Sequence, residues 1–132
     1  MSVTLTMSRF IYYNANPERK LVIDCTVRAI SFLTGLDWDT VYDGICEEGK
    51  RQHNMPSSNA VWSSYLRRLG YIRTPLPSIC PICYTVKDFC EMHPIGYYLL
   101  ALDEHVVAVR NGYYYDTWDS GDMIVLYYWE KR

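Results

Sequence analysis

Cys25, His105 and Asp116 are the residues of this chain whose types and order could do covalent chemistry. Cys25 follows Asp24 and opens the stretch Cys25-Thr26-Val27-Arg28-Ala29-Ile30-Ser31-Phe32-Leu33-Thr34-Gly35, which reads as a helix. A thiol at the first position of a helix meets unsatisfied backbone N–H groups and the positive end of the helix dipole. Both favour the thiolate, which is the nucleophilic form. His105 opens the apolar strand His105-Val106-Val107-Ala108-Val109, and Asp116 follows one hairpin signal later in Tyr115-Asp116-Thr117-Trp118. A cysteine on an early helix, a histidine at a strand start and a carboxylate one strand on is the order a Cys–His–Asp hydrolase needs. Each residue alone has an ordinary reading: a buried helix thiol, a hairpin histidine with a satisfied ring, a turn carboxylate. Their joint order on elements that can converge is what points to chemistry.

A second group has the composition of a zinc site. Cys80-Pro81-Ile82-Cys83 is a C-x₂-C knuckle, and Cys90-Glu91-Met92-His93 places Cys and His three residues apart on a short helix. The alternative is structural. Cys90 then packs inward with Val86 and Phe89, and His93 interacts with the helix C-terminus. We expect no cofactor, with zinc on Cys80, Cys83, Cys90 and His93 as the alternative.

The elements that must position these residues follow from periodicity and punctuation. The helix from Cys25 has Asp24 as its expected N-cap and Gly35 as its C′ residue, with Arg28 one turn on to neutralise Asp24. A second helix is expected from Asp37 or Asp39 through Val41, Tyr42 and Ile45 to Gly49, followed by a polar loop to Pro56. A third begins near Ser57 or Ser58, carries Val61, Trp62, Tyr65, Leu66 and Leu69, and stops at Gly70. Pro75, Pro77 and Pro81 interrupt regular structure. A short helix capped by Thr85, with Asp88 three residues later, ends at His93. From Gly96 the pattern becomes β: strands over 97–102 and 105–110, a tight connection at Asp103 and Glu104, and Asn111-Gly112 as a hairpin turn into Tyr113-Tyr114-Tyr115. A last strand is expected over 123–129. Helices first and an antiparallel sheet afterwards define an α+β domain. Three of the four tryptophans, Trp38, Trp62 and Trp129, read as packing residues, as do the sheet tyrosines.

Composition bounds the rest. At 132 residues with 49% apolar residues, the chain reads as one globular domain spanning 1–132. The net charge of −2 without a basic run argues against a nucleic-acid partner. No apolar stretch approaches a membrane span, and the N-terminus has no charged region or long apolar run of a secretion signal. Five cysteines, an odd number, without such a signal read as reduced thiols in the cytoplasm.

The segments around the candidate residues resemble the papain-like cysteine peptidases. In that fold a helix carries the cysteine, a strand carries the histidine, and the third residue often stands in an Asn-Ser-Trp triplet, to which Asp116-Thr117-Trp118 is chemically similar. Asp24-Cys25-x-x-Arg28-Ala29-Ile30-Ser31, His105-Val106-Val107-Ala108-Val109 and Tyr115-Asp116-Thr117-Trp118-Asp119 are similar to segments of small papain-like proteins of bacteria and their phages. The resemblance spans about residues 14 to 120. It implies a papain-like α+β fold, with Cys25 as nucleophile, His105 as base and then acid, and Asp116 orienting the imidazole under the shield of Trp118. Asp119 is the rival for the third place. Papain-like enzymes usually carry a Gln six residues before the cysteine, where this chain has Arg19, so the resemblance leaves Asn14 or Asn16 as side-chain oxyanion donor beside the Cys25 N–H. The implied activity is hydrolysis or acyl transfer at an amide or isopeptide bond of a protein or peptide. The alternatives are an inactive scaffold that binds a protein and a zinc-stabilised adaptor.

Overall fold

The computed structural model describes residues 8–76 and 83–131. Ten elements run in the order β1 (Phe10–Tyr12), α1 (Cys25–Thr34), α2 (Trp38–Gln52), α3 (Asn59–Arg68), β2 (Tyr71–Pro75), α4 (Val86–Met92), β3 (Tyr97–Leu102), β4 (His105–Arg110), β5 (Tyr113–Asp116) and β6 (Tyr127–Lys131). The fold is α+β, with four helices and one six-stranded sheet among the described residues.

Local chemistry sets most boundaries. α1 ends where Gly35 adopts φ 78° and returns its N–H to the Ser31 carbonyl at 2.9 Å. Asp37 caps α2 by accepting from the Thr40 N–H at 2.8 Å. α2 runs one turn beyond the expected stop at Gly49. Arg51 pairs with Glu47 and Glu48, and Gln52 reaches Ser64 on α3 at 2.9 Å, so the polar segment gains partners as helix. α4 carries the expected capping box, Asp88 N–H to Thr85 Oγ1 at 3.1 Å and Thr85 N–H to Asp88 Oδ2 at 3.0 Å.

The strand order is β1-β5-β4-β3-β6-β2. β3 and β4 form a hairpin in the register Leu102↔His105, and β4 and β5 a second in the register Arg110↔Tyr113. Asn111 and Gly112 turn the second hairpin at φ 48° and 80°, positive at both central positions as a type I′ turn requires. The sheet is mixed, where an antiparallel one was expected. β1 pairs in parallel with β5, Tyr12 opposite Asp116. A three-residue strand has too short a pattern to be read and is defined by its neighbour. β2 also went unread, because Pro75 and Pro77 argue against a strand. Pro75 is its last residue, where a missing N–H costs the ladder little. The last strand begins at Tyr127; Ile124 makes only an isolated bridge to Thr85.

Both faces of the sheet are covered, which is why its central strands are continuously apolar. Leu99, Ala101, Val106, Ala108 and Trp129 pack with Ile30 and Leu33 of α1, Val41 of α2 and Val61, Trp62 and Leu66 of α3. The alternate residues Leu100, Leu102, Val107, Val109 and Tyr114 pack with Val86, Phe89 and Cys90 of α4. Trp62 and Trp129 meet edge to face at 6.2 Å, while Trp38 is only partly buried. No helix among the described residues is long and apolar enough to cross a membrane.

Candidate active site

α1 packs most extensively on β4, and this contact sets the N-terminus of α1 beside the start of that strand. Cys25 is the first residue of α1 and His105 the first of β4, so two element boundaries place thiol and imidazole together. The imidazole of His105 and the backbone N–H of Val106 stand close enough to the Cys25 sulfur to stabilise its charged form. On the far side of the ring, His105 Nε2 lies 2.6 Å from Asp116 Oδ2. With Nε2 committed to the carboxylate, Nδ1 is the nitrogen left for the thiol. Trp118 lies over the imidazole, ring centroids 4.8 Å apart.

The electrostatics favour a thiolate–imidazolium pair. Burial pushes the Cys25 thiol up, but the hydrogen bonds from His105 and Val106 and the charge on His105 outweigh it, so its pKa falls below the ordinary value. Burial acts to lower the pKa of His105. The hydrogen bonds and charges of Asp116 and Cys25 dominate and raise it to about 9. The two groups titrate as a pair.

Asp116 is held from four directions. Its Oδ2 accepts from Ser120 Oγ at 2.9 Å as well as meeting His105. Its Oδ1 accepts from the Thr117 N–H at 2.8 Å and from Arg28 Nη2 at 3.3 Å. The same guanidinium donates through Nη1 to Asp24 Oδ1 at 2.7 Å, and Asp24 Oδ2 accepts from Trp38 Nε1 at 2.9 Å. Asp24, Arg28 and Asp116 are all buried. This corrects the expected cap: the Asp24 side chain caps no N–H of α1. A buried guanidinium and indole compete for it and win, because leaving either donor unpaired in the interior costs more than an uncapped helix end facing a cleft. The N–H groups of the first turn therefore keep their hydrogen-bonding capacity at the sulfur's side.

The other sequence candidates lie elsewhere. Asp119 accepts from the Tyr114 hydroxyl and from the Gly121 N–H at 3.0 Å, so it braces the turn after β5, and Asp116 takes the place on His105. Asn14 Nδ2 donates to the Lys20 carbonyl at 3.0 Å, and its Oδ1 accepts from the Asn16 N–H at 3.1 Å. Asn16 Oδ1 accepts from the Glu18 N–H at 2.9 Å. Both asparagines build the turn before α1 and line a different depression from the one holding Cys25. Their expected role as oxyanion donors is therefore not supported by position: the short polar side chains close local turns instead.

Cys25 and His105 open into a cleft of about 600 Å³. Thr26, Ser57, Asn59, Asp103, Glu104 and Tyr127 are among its lining residues. Asn59 Oδ1 accepts from Trp62 Nε1 at 3.0 Å, which leaves its amide nitrogen to donate. Ser57, in the α2–α3 connection, and Asn59, the first residue of α3, carry no mark in the sequence as cleft residues because both are far from Cys25 along the chain. Sequence reading missed Ser120 because nothing marks a serine four residues after Asp116 as its partner.

Of the zinc candidates, Cys80 lies outside the described residues. Cys90 is fully buried on the core-facing side of α4, where burial pushes its thiol up to about 12. His93 stacks on Phe89 at 3.9 Å, with Nδ1 3.1 Å from the Phe89 carbonyl. Among the described residues, no group of three or more His, Cys, Asp or Glu side chains is placed to hold a metal ion.

Comparison with protein-family models, curated proteins and solved structures finds no match.

Proposed function

We propose that this chain is a papain-like thiol hydrolase or acyl transferase that cleaves an amide or isopeptide bond of a protein or peptide in the cytoplasm, consistent with the resemblance to small bacterial and phage proteins. The observation that carries the reading is His105 bridging two partners, the Cys25 thiol at a helix N-terminus and the Asp116 carboxylate at 2.6 Å. Cys25 thiolate attacks the carbonyl carbon and the C=O electron pair moves to oxygen. His105 imidazolium protonates the leaving nitrogen, the C–N bond breaks, and a thioester remains on Cys25. Neutral His105 then takes a proton from water, or from an acceptor amine, as that nucleophile attacks the thioester and expels the thiolate. Asp116 fixes the ring and stabilises its charged form, and Trp118 limits water at their hydrogen bond. The Cys25 N–H supplies one oxyanion donor, and the Asn59 amide is our candidate for the second.

A second reading is a papain-like scaffold without turnover that binds a protein. It is favoured by the engagement of Asn14 and Asn16 in turns and by the exposed apolar run Leu21, Val22 and Ile23 beside the cleft. Iodoacetamide labelling at mildly acidic pH, followed residue by residue, separates the two. Fast labelling of Cys25 relative to Cys46, abolished with peptide or isopeptide turnover by Cys25→Ala, supports the hydrolase. Equal, slow labelling of both thiols overturns it.

A further inference from the structure

We propose that Arg28 is a positioning residue that offsets the charge of two carboxylates at once and thereby sets the pH window in which Cys25 and His105 form their ion pair. The inference rests on the hydrolase reading and extends it to a residue outside the candidate triad.

Arg28 stands three residues after Cys25, so it shares the sheet-facing side of α1 with the thiol. It is buried, and its two terminal nitrogens part to different carboxylates: Nη1 to Asp24 at 2.7 Å and Nη2 to Asp116 at 3.3 Å. A planar guanidinium can do this from one position, whereas an ammonium concentrates its charge at a point. Asp24 immediately precedes Cys25, and Asp116 touches His105. Left alone, both carboxylates would oppose the thiolate, and both would strengthen the hold of His105 on its proton. With Arg28 between them, Asp116 still accepts the ring N–H but carries less field to the imidazole. His105 can then surrender its proton to a leaving group.

The surrounding elements bring few other charges to this point. β5 supplies Asp116 and the ring of Tyr115, the latter stacked on Phe32 at 4.1 Å. β4 supplies His105. β3 supplies Tyr97, which lies on Phe32 and under Arg110. α2 supplies the neutral indole of Trp38 on Asp24, and the segment before α1 supplies Tyr13 against Phe32. Asp103 and Glu104 stand exposed at the cleft mouth, where solvent screens them. Among the described residues around this point, the charged groups withdrawn from solvent are therefore Asp24, Arg28, Asp116 and the Cys25–His105 pair.

The test follows the rate of Cys25 alkylation against pH in the full chain, by peptide mass spectrometry, with Cys46 as the comparison thiol. Cys90, buried in the core, reports unfolding in the same sample if it becomes labelled. Arg28→Gln should move the alkylation midpoint of Cys25 to higher pH by on the order of one pH unit. Asp24→Asn, which retains an acceptor for Trp38, should move it to lower pH. Arg28→Lys should return it toward the wild-type position, since the charge survives even where the fork is lost. A structural role alone would lower the yield of folded protein without displacing the midpoint. Midpoints that coincide in Arg28→Gln and Asp24→Asn, or that move in the same direction, overturn the proposal. If Arg28→Gln exposes Cys90, the Asp24→Asn shift decides alone: a fall supports the proposal and its absence refutes it. Slow wild-type labelling of Cys25 would instead refute the underlying hydrolase reading.

Discussion

His105 titrating near 9 is a measurable consequence of its position between Asp116 and Cys25. The gap from the ordinary 6.5 corresponds to a preference of about 3 kcal/mol for the imidazolium, with each pKa unit equivalent to about 1.4 kcal/mol. Burial works against that preference, so the partners supply more than the net. Asp116→Asn keeps the shape of the side chain and removes its charge, and the His105 midpoint should fall clearly toward neutrality. Cys25→Ser removes the other partner, and the double variant should bring the midpoint to 6.5 or below, since only desolvation then remains. The chain has three histidines, so a ring-nitrogen NMR titration can resolve all of them, with His53 and His93 as internal references. The sign for stability follows from linkage. A raised histidine pKa contributes fully below about 6.5 and is lost as pH rises through about 9. The destabilisation by Asp116→Asn should accordingly be largest in acid and shrink above pH 9. A wild-type His105 midpoint near 6.5, or one unmoved by Asp116→Asn, would refute the reasoning.

Three further outcomes are expected. Under the proposed hydrolysis, turnover should decline as pH rises through about 9, where His105 loses the proton assigned to the leaving group, and a pH–rate profile up to pH 10 reads this directly. Asn59→Ala should lower kcat by about 10²–10³ with little change in KM if its amide serves the oxyanion, and steady-state kinetics on an amide substrate check it. Gly112→Ala places a Cβ at φ 80°, 3.2 Å from the Cys90 carbonyl, and should cost about 1 kcal/mol or more by denaturant titration. Because that turn fixes the register of β4 on β5, kcat should fall with stability.

The sequence exposed those parts of the fold that are decided locally. α1 begins at Cys25 and stops at Gly35 because apolar spacing and a left-handed glycine agree, and the Asn111-Gly112 hairpin is dictated by its own turn chemistry. His105 and Asp116 were legible for the same reason: each sits at an end of such an element. What stayed hidden depends on distant partners. β1 exists through its pairing with β5, and the double engagement of Arg28 joins residues 88 positions apart. Where side chains stand differently from expectation, the origin is the same. Asp24 has the type of an N-cap and sits at its place, yet a tertiary guanidinium and indole take its side chain. Asn14 and Asn16 have the chemistry of oxyanion donors but spend it on a turn only a few residues long.

The long sequence separations within the site also order events in time. The thiol is synthesised well before its base, and the carboxylate comes later still. Tyr13 and Arg28 meet Asp116 only after the residues through β5 are available, and contacts of such span close late because their loop entropy must be met first. Through synthesis and early collapse Cys25 is thus an ordinary thiol in a helix that has no imidazole beside it. The contacts that favour its thiolate arrive with the completed sheet, so a truncated or misfolded copy carries the cysteine without them.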